Sequence, residues 1–173
     1  MAHNQYELLK QRRFLPFFLT QSLGAFNDNV FRNAMLALMV YQMGLSTAQA
    51  TLYSNLAPAL FILPYFLFSA TAGQIAERYE KALLIRFTTA LEIVIMSVAA
   101  FGFIYGIPWL LMFCLFMTGV QSTLFGPVKY AILPQVLHPE ALTGGNGLVE
   151  MGTSLSIRIG MIVGMLLLMI PGY

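Results

Sequence analysis

Long apolar runs separated by short polar breaks make up nearly all of this chain, and the length of the runs predicts helices rather than strands. A membrane-crossing helix needs about 20 mainly apolar residues. That template fits five stretches: 14–43, 50–72, 82–105, 108–127 and 147–170. The breaks agree with the runs. Gly44-Leu45-Ser46 closes the first, and Gly106-Ile107-Pro108 divides the third from the fourth, with Pro108 suited to a helix start. Gly126-Pro127 is expected to break or kink the fourth run, and Gly144-Gly145-Asn146-Gly147 to open the fifth. Pro58 and Pro64 fall inside the second, where membrane helices tolerate proline if neighbours satisfy the freed backbone. Residues 1–13 precede the first span as a short polar segment.

Composition places these helices in a bilayer. Of 173 residues, 58% are hydrophobic and 9% charged, against about 45–50% and about 25% in soluble domains. The fold class is therefore all-α integral membrane, with about five spans. Cys114 is the single cysteine and lies in an apolar run, so no disulfide framework exists. His3 and His138 stand far apart and no CxxC occurs, so neither a metal nor a cofactor is implied. The net charge of +2 reflects localised basic residues and implies no nucleic-acid partner. The basic start followed by an apolar run has the outline of a secretory signal, but the small-residue site Ala48-Gln49-Ala50 comes too late for cleavage. Phe14 onward is read as a retained helix.

The basic residues set the orientation. Lys10, Arg12 and Arg13 precede the first span; Arg78, Lys81 and Arg86 surround the break between the second and third; Lys129 follows in the fourth. The breaks at 44–49 and 104–108 hold no Lys or Arg. By the positive-inside rule the N-terminus is expected to be cytoplasmic.

Against this background the stretch QSLGAFNDNVFRNAML at 21–36 stands out. Asp28 lies mid-span and Arg32 follows at i+4. Each charge costs about 2.5–3.5 kcal/mol at a helix centre on insertion scales. Acid before base at this spacing is the favourable order for a same-helix pair, so simple mutual neutralisation is one reading. The other takes in the neighbours. Gln21, Gly24, Asp28 and Arg32 run along one face, with Asn29 and Asn33 beside them, and such a stripe should face a bundle interior or a water-filled cavity. Glu92 sits mid-span in the third run without an obvious partner. In the fifth, Glu150, Ser154 and Arg158 recur every four residues on one face. Gly152, Ser156, Gly160 and Gly164 do so on another, as a surface for close helix packing. A polar, zwitterionic interior is what a charged solute needs to cross a bilayer. Enzyme chemistry has no comparable support: neither histidine is followed by an acyltransferase-type aspartate, and no Gly-x-Ser-x-Gly elbow or phosphate-binding glycine loop occurs.

Two sets of motifs carry a resemblance. GQIAERYEK at 73–81 resembles the loop between helices two and three of the major facilitator superfamily. The resemblance implies that Gly73, Glu77, Arg78 and Lys81 form a cytoplasmic latch, with Glu80 standing where the family has glycine. QSLGAFNDNVFRNA at 21–34, FGPVKYAILP at 125–134 and GNGLVE at 145–150 are similar to the bacterial lysophospholipid transporter branch of that superfamily. The implied activity is flipping of lysophospholipids, chiefly lysophosphatidylethanolamine, to the inner leaflet of the Gram-negative inner membrane. There an acyltransferase/acyl-carrier-protein synthetase, separate or fused, re-acylates them in phospholipid remodelling. Gln21, Asp28, Asn29, Arg32, Glu150 and Arg158 would line the substrate path, Asp28 facing an ammonium and an arginine the phosphate. Glu92 would be a proton or structural site. Such transporters pair two six-helix halves, so residues 14–173 correspond to part of the N-terminal half of a longer transporter that also needs a C-terminal half. The competing reading is a truncated, non-transporting fragment with a structural or subunit-association role.

Overall fold

The computed structural model describes residues 5–167. The first residues of the N-terminal segment, His3 among them, and the expected end of the last span at 168–170 lie outside the described residues. A short 3-10 helix, Gln5–Lys10, leads into α1 (Leu15–Tyr41), α2 (Thr47–Arg78), α3 (Lys81–Ile104) and α4 (Pro108–Val136). A second 3-10 turn, Pro139–Ala141, then leads into α5 (Leu142–Leu166). No strand occurs among the described residues.

Local chemistry explains most boundaries. Pro108 sits in the first turn of α4, where its missing N–H costs nothing. Ser46 and Gln49 form a reciprocal capping box at the start of α2. Gly44 and Gly106 hold φ of 61° and 60° in the two turns at one end of the bundle, a left-handed conformation that strains other residues. Three boundaries differ from the expected ones. α4 runs unbroken through Gly126-Pro127 to Val136, because membrane helices re-satisfy the freed carbonyl with neighbours. α5 starts at Leu142, so the glycines at 144, 145 and 147 lie in its first turns rather than opening it. α2 continues to Arg78, leaving only Tyr79 and Glu80 as the link to α3.

Among the described residues, four helices are long and apolar enough to cross a membrane: α2, α3, α4 and the segment Pro139–Leu166 containing α5. α1 has the length, at 27 residues, but the polar residues between Gln21 and Asn33 dilute its hydropathy.

The helices pack as α1 on α5, α2 on α4, and α3 on α4. Glycines bring the backbones together. A β-carbon at Gly160 would lie 2.7 Å from the Phe26 carbonyl oxygen, and one at Gly164 would lie 2.8 Å from that of Val30. The expected small-residue surface of α5 is thus the α1 interface. Gly119 does the same for α4 against α2, with Phe61 O at 2.5 Å from a β-carbon there.

Two apolar clusters occupy the two ends of the bundle. One joins Phe31, Met35, Ala57, Ile95, Ala99, Leu111 and Leu115 near the Gly44 and Gly106 turns. The other joins Leu8, Phe14, Phe17, Leu133, Leu137, Leu148 and Val149 at the end carrying the basic residues. The 3-10 helix belongs to this second core through Leu8, so the N-terminal segment is packed and not merely a leader to α1. Between the clusters, α1, α3, α4 and α5 each turn polar, and that layer holds the cavity.

Candidate functional site

A cavity of about 240 Å³ opens in this middle layer. From α1 come Gln21, Gly24 and Asp28; from α3, Thr89 and Glu92; from α4, Gln121, Ser122, Lys129 and Tyr130; from α5, Thr153. A shallower groove of about 620 Å³ between α1 and α3 shares Gly24, Thr89 and Glu92 with it and is otherwise lined by residues such as Leu23, Ile93 and Met96.

The hydrogen bonds of the cavity cross between helices. Gln21, buried, donates to the Val149 carbonyl at 3.0 Å, and its Oε1 lies 2.9 Å from the Thr153 hydroxyl. That hydroxyl is also 2.7 Å from Val149 O, so its one proton serves either acceptor while its oxygen accepts from Lys129 Nζ at 3.3 Å. Lys129 pairs with Glu150 Oε1 at 3.0 Å, and Tyr130 OH donates to the same oxygen at 2.9 Å. The lysine side chain is 12% exposed and the glutamate 54%, so the pair points from the cavity wall toward the surface. Ser122 donates to Asp28 Oδ2 at 3.1 Å and lies 3.3 Å from Gln121 Oε1. In the groove between α1 and α3, Asn27 donates to Glu92 Oε1 at 2.8 Å. The Glu92 carboxylate rests over Gly24, where a β-carbon would stand 3.5 Å from Oε2.

The structure brings some of the expected residues together and separates others. Gln21, Asp28 and Glu92 line the cavity. Asp28 and Arg32 form no ion pair; among the described residues the ion pair is Lys129–Glu150. Arg32 instead donates to Asn29 Oδ1 at 2.7 Å and lies 5.5 Å from the centre of the Phe61 ring, beyond the cavity. Asn29 is buried and donates to the Ala25 carbonyl of its own helix at 2.8 Å. Glu150 stands at the cavity mouth through its bonds to Lys129 and Tyr130, whereas Arg158 is exposed further along α5. At the α2–α3 link Gly73, Glu77 and Arg78 lie within α2, and Lys81 opens α3 with its Nζ 3.5 Å from Tyr79 O. Among the described residues these four form no ion pair with one another.

Residues on α4 and α5 complete the site although the polar stripe of α1 gave no hint of them. Gln121, Ser122, Phe125, Gly126 and Lys129 all line the cavity and recur at steps of one, three and four, the spacing of one helix face. That pattern, inside an apolar run, was the available signal. Lys129 is the cation that lines the cavity among the described residues.

Among the described residues, membrane-length helices packed glycine-to-backbone around a polar mid-layer cavity define a polytopic α-helical membrane protein. The matching sequence family is the Major Facilitator Superfamily, over residues 17–173, and the chain belongs to it. It is similar to the lysophospholipid transporter LplT of Serratia proteamaculans, with 29% identity over 156 residues, 90% of this chain and 36% of that protein. LplT of Photorhabdus laumondii is 30% identical over 163 residues, 94% of this chain and 38% of the relative. LplT of Escherichia fergusonii is 29% identical over 146 residues, 84% and 34% respectively. The chain thus spans little more than a third of the length of these curated relatives. No solved structure matches it.

Proposed function

We propose that this chain is the N-terminal part of a carrier that moves lysophospholipids across the membrane, chiefly lysophosphatidylethanolamine to the inner leaflet. The observation that carries the proposal is the cavity itself: two carboxylates, Asp28 and Glu92, and one cation, Lys129, line a single space inside an apolar bundle. A zwitterionic headgroup has the charges to match, its ammonium toward Asp28 and its phosphate toward Lys129, with the acyl chain toward lipid. Neutral donors and acceptors from Gln21, Gln121, Ser122 and Thr153 replace the water that the headgroup loses. The similarity to proteins named lysophospholipid transporters supports the substrate class.

The resident membrane in this reading is the bacterial inner membrane, with the N-terminus cytoplasmic. The basic residues Arg12, Arg13, Arg78 and Lys81 all fall at the same end of an up-and-down bundle, which supports that orientation. Residues Gly73, Glu77, Arg78 and Lys81 at the α2–α3 link then act as a cytoplasmic latch in one access state. Carriers of this class rock two halves around a central site, so a second half completes the path. A re-acylating acyltransferase/acyl-carrier-protein synthetase consumes the delivered lipid. The role is binding and translocation, without bond-making in this chain.

The test is reconstitution of the complete transporter chain in proteoliposomes with labelled lysophosphatidylethanolamine added outside. Movement of the label to the inner leaflet, read by loss of albumin extraction, is the expected result. Lipid that stays extractable, from protein shown to be folded, would reject the proposal. A blot of native membranes with antibody to Met1–Arg13 identifies the product to purify: a band well above the 19.2 kDa of this chain is expected.

A further inference from the structure

Three formally charged side chains line the cavity, and they are unequally compensated. Lys129 already has a carboxylate in Glu150, 3.0 Å away. Among the described residues neither Asp28 nor Glu92 has a cation within ion-pair distance. Arg32, one turn from Asp28, is turned to Asn29 Oδ1 at 2.7 Å and to the Phe61 ring. Asp28 Oδ2 accepts a hydrogen bond from the Ser122 hydroxyl, while Oδ1 is buried without a partner. Glu92 Oε1 accepts a hydrogen bond from the Asn27 amide, while Oε2 lies over Gly24. A buried carboxylate oxygen without a donor costs free energy, and two carboxylates lining one space repel each other. A positive charge between them relieves both costs at once.

We propose that Asp28 and Glu92 together form a subsite for a monovalent cation, either the ammonium of a lipid headgroup or free Na⁺. The subsite is built from α1 and α3. Both cations are small, singly charged and satisfied by carboxylate and amide oxygens. A primary ammonium offers three directed donors, which two carboxylates and the neutral oxygens of the cavity can accept. The inference rests on the transport reading only for the source of the cation.

The experiment compares wild type, Glu92→Gln and Glu92→Asp in the complete transporter chain, each reconstituted in proteoliposomes after its size-exclusion profile has shown a folded protein. Uptake of lysophosphatidylethanolamine and of the amine-free lysophosphatidylglycerol is measured in Na⁺ and in K⁺ buffer, beside binding of radioactive Na⁺. The expected result is that Glu92→Gln lowers uptake of the amine lipid by about tenfold or more, leaves the amine-free lipid within about twofold, and does so in both buffers. Glu92→Asp should restore part of the loss. If both lipids fall together, only in Na⁺ buffer, and Na⁺ binding disappears with them, the subsite holds and its cation is Na⁺. If Glu92→Gln matches wild type throughout, or lowers both lipids equally in both buffers, the subsite is overturned. Should wild type move neither lipid, the transport reading fails on its own, and Na⁺ binding decides the subsite: binding lost in Glu92→Gln upholds it, and no binding in wild type overturns it.

Discussion

Between Gln21 and Asp28, α1 sends its polar side chains to other helices; between Asn29 and Asn33 it sends them back to itself. Gln21 reaches Val149 and Thr153, Asn27 reaches Glu92, and Asp28 receives Ser122. One turn later, Asn29 bonds the Ala25 carbonyl, Arg32 bonds Asn29, and Asn33 bonds the Asn29 carbonyl, all within three or four positions. The residue types are alike, and the difference lies in what faces them. The first half meets a cavity whose walls offer hydroxyls and amides. The second half meets Phe61 and the closely packed backbone of α5, which offer no polar partner, so the side chains bond back to their own helix. In α1 the polar side chains hydrogen-bonded to other helices line the cavity or the groove beside it, and Asn29, Arg32 and Asn33 line neither.

The sharpest way to break this comparison is to remove charge from the cavity half. Asp28→Asn is expected to reduce lysophospholipid uptake by about tenfold or more, because the amide cannot hold an ammonium as a carboxylate does. Unchanged uptake with normal expression would take Asp28 out of the site. Next in size is the α1–α5 contact that both halves depend on. Gly160→Leu forces a side chain into the Phe26 carbonyl, 2.7 Å from the β-carbon position, and should cost about 1–3 kcal/mol of stability. A melting temperature in detergent equal to wild type would show that the helices are free to separate.

Lys129→Gln should lower uptake of anionic-headgroup lipids by roughly fivefold, a smaller effect because Glu150 already shares the lysine's charge. An increase in uptake would mean that the lysine acts as a lock and not as a ligand. The smallest change is expected in the self-bonded half. Arg32→Lys keeps the charge but weakens the planar contact with Phe61, worth about 0.5–1 kcal/mol, and uptake should stay within about twofold of wild type. A loss as deep as that of Asp28→Asn would erase the distinction between the halves and return Arg32 to the substrate path.

Much of this architecture was readable from residue patterns. The apolar runs located all five helices, and Gly44, Gly106 and Pro108 marked two of the turns, because conformational preference at such positions is local. The glycine stripe of α5 announced a close contact for the same reason. Boundaries at Gly126-Pro127 and Gly144–Gly147 were misplaced, since in a membrane bundle the neighbours decide whether a helix survives a proline or glycine. The α2–α3 link shows the same: a charged stretch that looks like loop is helix through Arg78, with only Tyr79 and Glu80 between. At the site, the spacing of Gln21, Gly24 and Asp28 exposed the α1 wall, but the α4 wall was overlooked. Lys129 reads as an orientation signal in a list of basic residues and becomes a cavity residue only when α4 is placed beside α5.

The sequence by itself determined that this protein is a helical bundle in a membrane, which helices it has, and that charge lies within them. Those properties follow from hydropathy summed along single segments and from residue-level costs of burying charge. Only the tertiary structure decided the partner of each charge. Asp28 faces Ser122 and the cavity instead of Arg32, Glu92 is bonded by Asn27, and Lys129 is held by Glu150. These pairings join residues up to 94 positions apart, and their geometry depends on glycine contacts that set how closely α1 meets α5 and α2 meets α4. Coulomb energy depends on separation in real space and hydrogen bonds need donor and acceptor within about 3 Å, distances that position along the chain does not encode.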